Sequence, residues 1–404
     1  MENEVCVEKP IKVLAALLFC TANITMLKAG PVSFSFFLGV LLIFFVFTRF
    51  PYYARVNKDM WPWLLLVGLS IFGLLLSPVS LDGTSLFTLI QLVYWFLIAN
   101  IFSNISLVLS EKLFIKAILF AMAVIGLVFC FFPGEDGPLS ENESSFIVVV
   151  AWPLGLFYFY KWKRYVYVLL VAFLLFLIGS RTGIILLLIQ LIGFFLIKKL
   201  ESKNMIRLLV FFLIGYLLIS NSNVRLFVAE KVFPEDEEMQ MVIETPELVL
   251  QMDKSWVQRR IQQEKCKQVA GEYPILGIGP LNLVRYNIDI DVSKLDVDNS
   301  ILDIEYHRSF QRSSHNAYFQ LMAENGIIGI TLVLFVFIKL LYHYYKIRED
   351  DENHIIMMLS MIGMFINLFM LSGFWGTNTW LMLGLYIGYI RNRMIMYEDS
   401  DSFE

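Results

Sequence analysis

Twelve runs of mostly apolar residues set the limits on this chain: 11–27, 32–48, 61–77, 86–102, 113–132, 144–160, 165–179, 183–197, 206–221, 317–338, 355–373 and 376–390. A bilayer core about 30 Å thick is crossed by roughly 20 apolar residues in a helix, and somewhat shorter spans are tolerated. Soluble domains are about half apolar and about a quarter charged. This chain of 404 residues is 58% hydrophobic and 17% charged, too much apolar surface to hide in soluble cores. It reads as an all-α polytopic membrane protein with about 12 transmembrane helices. A net charge of −4 offers phosphate backbones no bulk attraction, so membrane lipids are expected partners and nucleic acid is not.

Details of the runs fit spans. Pro51, Pro78 and Pro133 fall in connections, where they break no helix hydrogen bond. Trp61, Trp63, Trp152, Trp162, Trp375 and Trp380 lie near run ends, where interfacial aromatics are expected. The first run has no small-residue cleavage site before the second begins and reads as a span. Cys6, Cys20, Cys130 and Cys266 share no metal or redox spacing and read as small hydrophobes.

Orientation follows from the cations. With the N-terminus inside, the inward connections hold nineteen of the 32 Lys and Arg residues. The short outward connections hold two, Lys28 and Arg181, together with the acidic stretch Gly134–Glu143. The other eleven lie in a long outward segment at 222–315, and long segments do not count toward the rule. The expected organisation is a membrane bundle of about nine spans at 1–221, a large outer loop at 222–315, about three spans at 316–392 and an inner tail at 393–404. No repeat divides the chain into matching halves with interrupted spans, as inverted-repeat transporters often show.

The outer loop is no linker, being far longer than the roughly 15 residues that structureless loops reach in compact proteins. It holds an acidic tract at Pro234–Glu238 and a helical stretch at Lys254–Ala270. The turn Tyr273-Pro-Ile-Leu-Gly-Ile-Gly-Pro280 follows, then an acid-rich region and Arg308-Ser-Phe-Gln-Arg-Ser-Ser-His-Asn-Ala-Tyr. A mostly helical cap is expected.

Three positions in or beside this loop invite chemistry. Arg181 stands between two apolar runs, flanked by Gly179, Ser180 and Gly183. By position alone it is equally a snorkelling arginine or a substrate ligand; the small neighbours, which permit close approach, favour the ligand. Arg259 and Arg260 lie among other cations in a helical stretch, and alone would read as a solvated face. His315 follows Ser313 and Ser314, good N-cap residues, so it is expected in the first turn of a helix, above the outer interface. Tyr318 and Met322 would share its face, and Asn325-Gly326 would end that helix. A lone histidine there is more often a cap or an interfacial residue than a base.

The stretch Ser314-His-Asn-Ala-Tyr-Phe-Gln-Leu-Met-Ala-Glu-Asn-Gly-Ile-Ile-Gly329 resembles the signature that closes the large periplasmic loop of bacterial O-antigen ligases and O-antigen polymerases. Gly179-Ser-Arg-Thr-Gly183 resembles that family's arginine motif, and Arg259, ahead of the Pro-Ile-Leu-Gly-Ile-Gly turn, resembles its loop arginine. The likeness covers roughly 140–390, with Arg260 an alternative register for Arg259.

The resemblance implies a GT-C-like helical fold in the bacterial inner membrane, with both termini cytoplasmic and the large loop periplasmic. It implies a glycosyltransferase that moves glycan from undecaprenyl diphosphate, without a metal ion, other cofactor or nucleotide sugar. The acceptor is another glycan in polymerases, the lipid A core in ligases and a protein in a related branch; a chain-length regulator is a further partner of polymerases. Arg181, Arg259 and His315 then become the expected catalytic residues, with Arg260, Tyr318 and Arg312 binding substrate. Planar guanidinium groups suit a departing diphosphate, and a neutral imidazole can accept the acceptor hydroxyl's proton. From another class, a flippase for the same lipid-linked glycan would need charged or broken helices near mid-membrane, and the runs hold almost no ionisable residues.

Overall fold

The computed structural model describes mainly residues 32–105, 111–131, 141–198, 254–290, 314–346, 352–369 and 373–401, with scattered positions before residue 30. The expected span at 206–221, most of that at 11–27 and the acidic tract at Pro234–Glu238 lie outside them. Apart from a two-residue antiparallel pairing of Lys28–Ala29 with Val32–Ser33, regular structure here is helical. The helices are α1 (Phe34–Arg49), α2 (Trp61–Leu75), α3 (Gly83–Ile105), α4 (Glu111–Phe131), α5 (Glu141–Gly155), α6 (Trp162–Leu177) and α7 (Arg181–Lys198). They continue with α8 (Lys254–Glu272), α9 (Ala317–Lys346), α10 (Glu352–Asn367) and α11 (Thr377–Asp401).

Three helical stretches are long and apolar enough to cross a membrane: Pro51–Leu75, Gly83–Ile105 and Ala317–Tyr344. Shorter apolar helices accompany them at Phe34–Arg49, Ile118–Phe131, Ser144–Gly155 and Thr182–Phe194. Large apolar side chains cover their outer faces, Phe44 at 68% exposure and Phe131 at 75% among them. Such a surface is stable against lipid and not against water.

Inside the bundle, α3 lies along α11, and α5 and α7 lie against α10. Gln190 of α7 ties three of these together: its Oε1 accepts from Trp152 Nε1 at 2.7 Å, and its Nε2 donates to the Val149 and Leu359 carbonyls at 3.2 and 3.0 Å. Buried donors and acceptors need such partners wherever water is excluded. Four of the six tryptophans expected at interfaces are in fact core residues. Trp63, Trp152 and Trp380 are fully buried and Trp375 nearly so, whereas Trp61 and Trp162 are exposed. Apolar runs place tryptophans near helix ends, but helix offsets within the bundle decide which ends are covered.

The two ends of the bundle keep apart. At one end Arg164 pairs with Glu352 at 2.6 Å, Lys339 with Asp59 at 3.8 Å, and Arg391 donates to Asn104 at 3.0 Å. At the other, Arg285 pairs with Asp82 at 2.8 Å and the Ser145 and Ser180 hydroxyls meet at 2.6 Å.

The helices are not equally tall. Trp375 stacks on Trp95 at 6.0 Å, twelve residues along α3 from its start, and Phe374 lies 6.4 Å from Trp63, twelve residues from the far end of α2. At 1.5 Å per residue, the α10–α11 connection is therefore recessed by about 18 Å below the Leu75 end of α2 and the Gly83 start of α3. Correspondingly, α10 stops at Asn367, short of the expected 373; at the opposite end, beside Arg164, α5 stops at Gly155, two residues after Pro153, short of the expected 160.

Candidate functional site

Two helix starts stand at the recessed level. Gly179 adopts φ 75°, which glycine takes without strain, and turns the chain from α6 into α7. Ser180 then caps α7, its Oγ accepting from the Gly183 backbone N–H at 3.0 Å. A side chain at Gly183 would run into the Ser145 and Ser180 hydroxyls and Leu175, so this glycine serves close packing. Arg181 is the first residue of α7. Nine residues separate it from Gln190, and nine separate Leu359 from Leu368, so Arg181 stands level with the Asn367 end of α10.

The start of α9 sits at that same end, where the Ala317 backbone N–H donates to the Leu368 carbonyl at 2.8 Å. Its cap is not the expected serine pair. Asn316 Oδ1 accepts from the Tyr318 and Phe319 N–H groups at 3.1 Å each, making Asn316 the N-cap residue. His315 therefore lies just outside the helix, half-buried, with φ 49°, and does not share a helical face with Tyr318 and Met322. Ser314 Oγ donates to the Asn316 carbonyl at 2.7 Å and pins the turn. A histidine in the left-handed region costs of order 1–3 kcal/mol and persists only where its surroundings hold it.

Nor is His315 raised above the bundle. Gly326, with φ 64° and ψ −169°, breaks α9 into two arms, as the Asn325-Gly326 reading expected of a helix stop. The Tyr318 and Phe337 rings lie 6.5 Å apart, although nineteen helical residues would separate them by about 28 Å if the helix were straight. The first arm therefore folds back along the second and carries Ser314, His315 and Asn316 inward, toward Phe365 and Leu368. Sequence order hides this, because the next apolar run begins only after the kink.

The turn Tyr273–Pro280 clasps the kink. Ile278 and Gly279 N–H groups donate to the Ala323 and Glu324 carbonyls at 3.0 and 2.9 Å, and the Ile327 N–H donates to the Pro274 carbonyl at 2.8 Å. A Cβ at Gly326 would collide with the Ile275 carbonyl, and one at Gly277 with Glu324, so both glycines permit backbone-to-backbone contact. Ser77, Asn282 and Arg285 tie this turn to the Leu75 end of α2 and the Gly83 start of α3.

Helix α8 packs on the first arm of α9. Val269 shares a core cluster with Ala323, the Lys267 ammonium stands over the Phe319 ring at 6.0 Å, and Cys266 meets Ser314. The two helices thus run parallel. Arg259 is two turns back from Cys266 on the same stripe and so falls toward the His315 end of the first arm. It is half-buried, and its Nε is enclosed without a hydrogen-bond partner. Arg260 is half-buried beside it. Burial pushes the Lys265 ammonium down to about 8 and the Cys266 thiol up to about 12.

The remaining candidates fare differently. The Tyr318 hydroxyl donates to the Phe365 carbonyl at 2.8 Å and its ring packs on Phe369, so the fold already uses this side chain. Arg312 lies outside the described residues. No group of three or more His, Cys, Asp or Glu side chains gathers as a metal site among the described residues. Residues that sequence reading passed over include Asn316, whose capping role was concealed by two adjacent serines, and Gln190, a lone amide in an apolar run.

Among curated proteins the chain finds no match. Residues 166–334, from α6 into the second arm of α9 and so including Arg181, Arg259 and His315, match the family model described as O-antigen ligase, a match that supports the O-antigen ligase and polymerase superfamily for this chain.

Proposed function

We propose that this protein is a GT-C-like integral-membrane glycosyltransferase of the bacterial inner membrane. It moves a glycan from undecaprenyl diphosphate to an acceptor hydroxyl at the periplasmic face. About 12 spans carry it, with both termini cytoplasmic and residues 222–315 as the periplasmic loop; the cation bias of the connections supports this orientation.

The observation that carries the reading is the gathering of Arg181, His315 and the α8 arginines toward one recessed end, beside two capped helix starts. Helix starts favour anions, and guanidinium groups fork onto phosphate oxygens. In this reading Arg181 and Arg259, with Arg260 in support, hold the diphosphate and stabilise the charge that develops on it as the sugar–phosphate bond breaks. His315 accepts the acceptor hydroxyl's proton as the new glycosidic bond forms. In the same reading Tyr318 and Arg312 are the further substrate-binding residues. Chemistry gathered at one end suits a transferase, whereas a flippase needs alternating access from both.

Between acceptors we favour polymerisation onto a second lipid-linked glycan, with a chain-length regulator as partner. The loop's sixteen acidic residues against eleven basic ones give no pull toward the phosphorylated lipid A core. The test is purified protein in liposomes with a lipid-linked donor. Longer glycan with release of undecaprenyl diphosphate is expected; movement of the donor across the bilayer without such release would refute the reading. In cells, deletion of a polymerase leaves single repeats on the core, and deletion of a ligase leaves none.

A further inference from the structure

The contact between α8 and the folded-back arm of α9 hides a carboxylate for which the proposed chemistry has no use. Glu324 is wholly buried. Its Oε1 accepts from Gln320 Nε2 at 2.9 Å, one helical turn away. The backbone N–H groups of Leu281 and Leu283 approach the same carboxylate, and its Oε2 has no closer hydrogen-bond partner.

The backbone around it is shaped for an anion. Gly279 and Leu281 both adopt positive φ, 86° and 59°, within three residues of each other. Alternation between left- and right-handed residues turns successive N–H groups into one concavity, a nest for negative charge. A leucine rarely takes that conformation, and here it does so facing Glu324. On the other side, the carbonyl of Glu324 itself receives the Gly279 N–H at 2.9 Å. One residue thus holds the loop through both its side chain and its backbone.

What it holds matters to the site. The nest follows the Tyr273–Pro280 turn that ends α8, and Cys266 of α8 meets Ser314 and lies within electrostatic reach of Glu324. Ser314 precedes His315, and Arg259 is seven residues before Cys266. The chain from 266 to 314 closes through this contact, so the spacing of the α8 arginines from His315 depends on how α8 seats against α9.

We propose that Glu324 is a positioning residue: seated in the 279–283 nest, it sets the placement of α8, and with it Arg259, against the His315 turn. This rests on the glycosyltransferase reading for its effect on activity, but the placement can be measured alone. In full-length protein with Cys6, Cys20 and Cys130 replaced by serine, Ser314→Cys is expected to form a disulfide with Cys266 on oxidation with iodine in membranes. Adding Glu324→Ala is expected to slow that cross-link several-fold, and Glu324→Gln, which keeps one acceptor oxygen, to recover part of the rate. In protein retaining Ser314, Glu324→Ala is expected to raise KM for the lipid-linked donor more than it lowers kcat, with the shape of the pH profile unchanged. An unchanged cross-linking rate in Glu324→Ala overturns the proposal, whether activity falls or not. So does a cross-linking defect that Glu324→Gln leaves uncorrected while both variants elute as monodisperse protein. If the parent protein transfers no glycan, the glycosyltransferase reading fails, and the cross-linking rates still decide the placement.

Discussion

The two ends of this bundle are closed by different means. At the Arg164 end, polar groups pair without disturbing the helices. Asn57 Oδ1 caps a single turn by accepting from the Asp59 and Met60 N–H groups at 3.0 Å each, Asn104 binds the Tyr53 and Arg55 carbonyls, and Arg164 meets Glu352. At the Arg181 end, helices stop at different heights, α9 breaks, and a glycine turn enters the break. Six of the seven positive-φ residues in the described structure lie there, Lys161 being the exception. Helix ends need solvation and caps, and the first end obtains them with one left-handed residue, Lys161, before α6. Strain that folding does not require points to function, which is why the second end is the candidate site.

That contrast can be broken experimentally. The largest effect is expected from Gly326→Ala, because a Cβ would strike the Ile275 carbonyl and φ 64° is unfavourable for alanine. Loss of monodisperse protein on size exclusion, or of all transfer, is expected; wild-type thermal stability would show that the kink is dispensable. Next, Arg181→Ala should lower kcat in the liposome assay by a factor of about 10² to 10³, the loss typical of a removed charge-stabilising donor, while membrane insertion persists. Activity within a few-fold of wild type would detach the α7 start from the chemistry.

His315→Gly separates strain from function. Glycine relieves the left-handed backbone, so Tm should hold or rise while transfer is lost. A lower Tm with transfer retained would make His315 a structural residue. Smaller still, Ser180→Ala removes the α7 cap and should cost about 1 kcal/mol of stability by thermal unfolding, with a several-fold loss of transfer. The smallest effect belongs to the opposite end. Glu352→Gln weakens a partly exposed pair with Arg164, so a change of about 1 kcal/mol or less and unaltered transfer are expected. A large loss of transfer there would erase the distinction between the ends.

Much of this was legible from residue order, and the failures share one cause. Run lengths located most of the helices, because a membrane span must satisfy its own backbone and therefore shows as a continuous apolar segment. Resemblance to the family's motifs, added to residue chemistry, picked out Arg181, Arg259 and His315 as candidates. Depth was misread for His315, and burial for Trp63, Trp152, Trp375 and Trp380, since both depend on how neighbouring helices are offset. The Asn316 cap was missed because serine and asparagine cap equally well, and only the chain's path chooses between them.

By itself, then, the sequence determined a helical membrane chain with its cations biased to one side, a structured loop and a short set of chemically competent residues. Those properties follow from local periodicity, charge and residue chemistry, which act over a few neighbours. Tertiary structure alone decided that α9 folds back at Gly326, that the 273–280 turn fills the break, and that the histidine turn and the α7 start share a level. Backbone contacts between segments some fifty residues apart in the chain make those choices, and no local pattern encodes them.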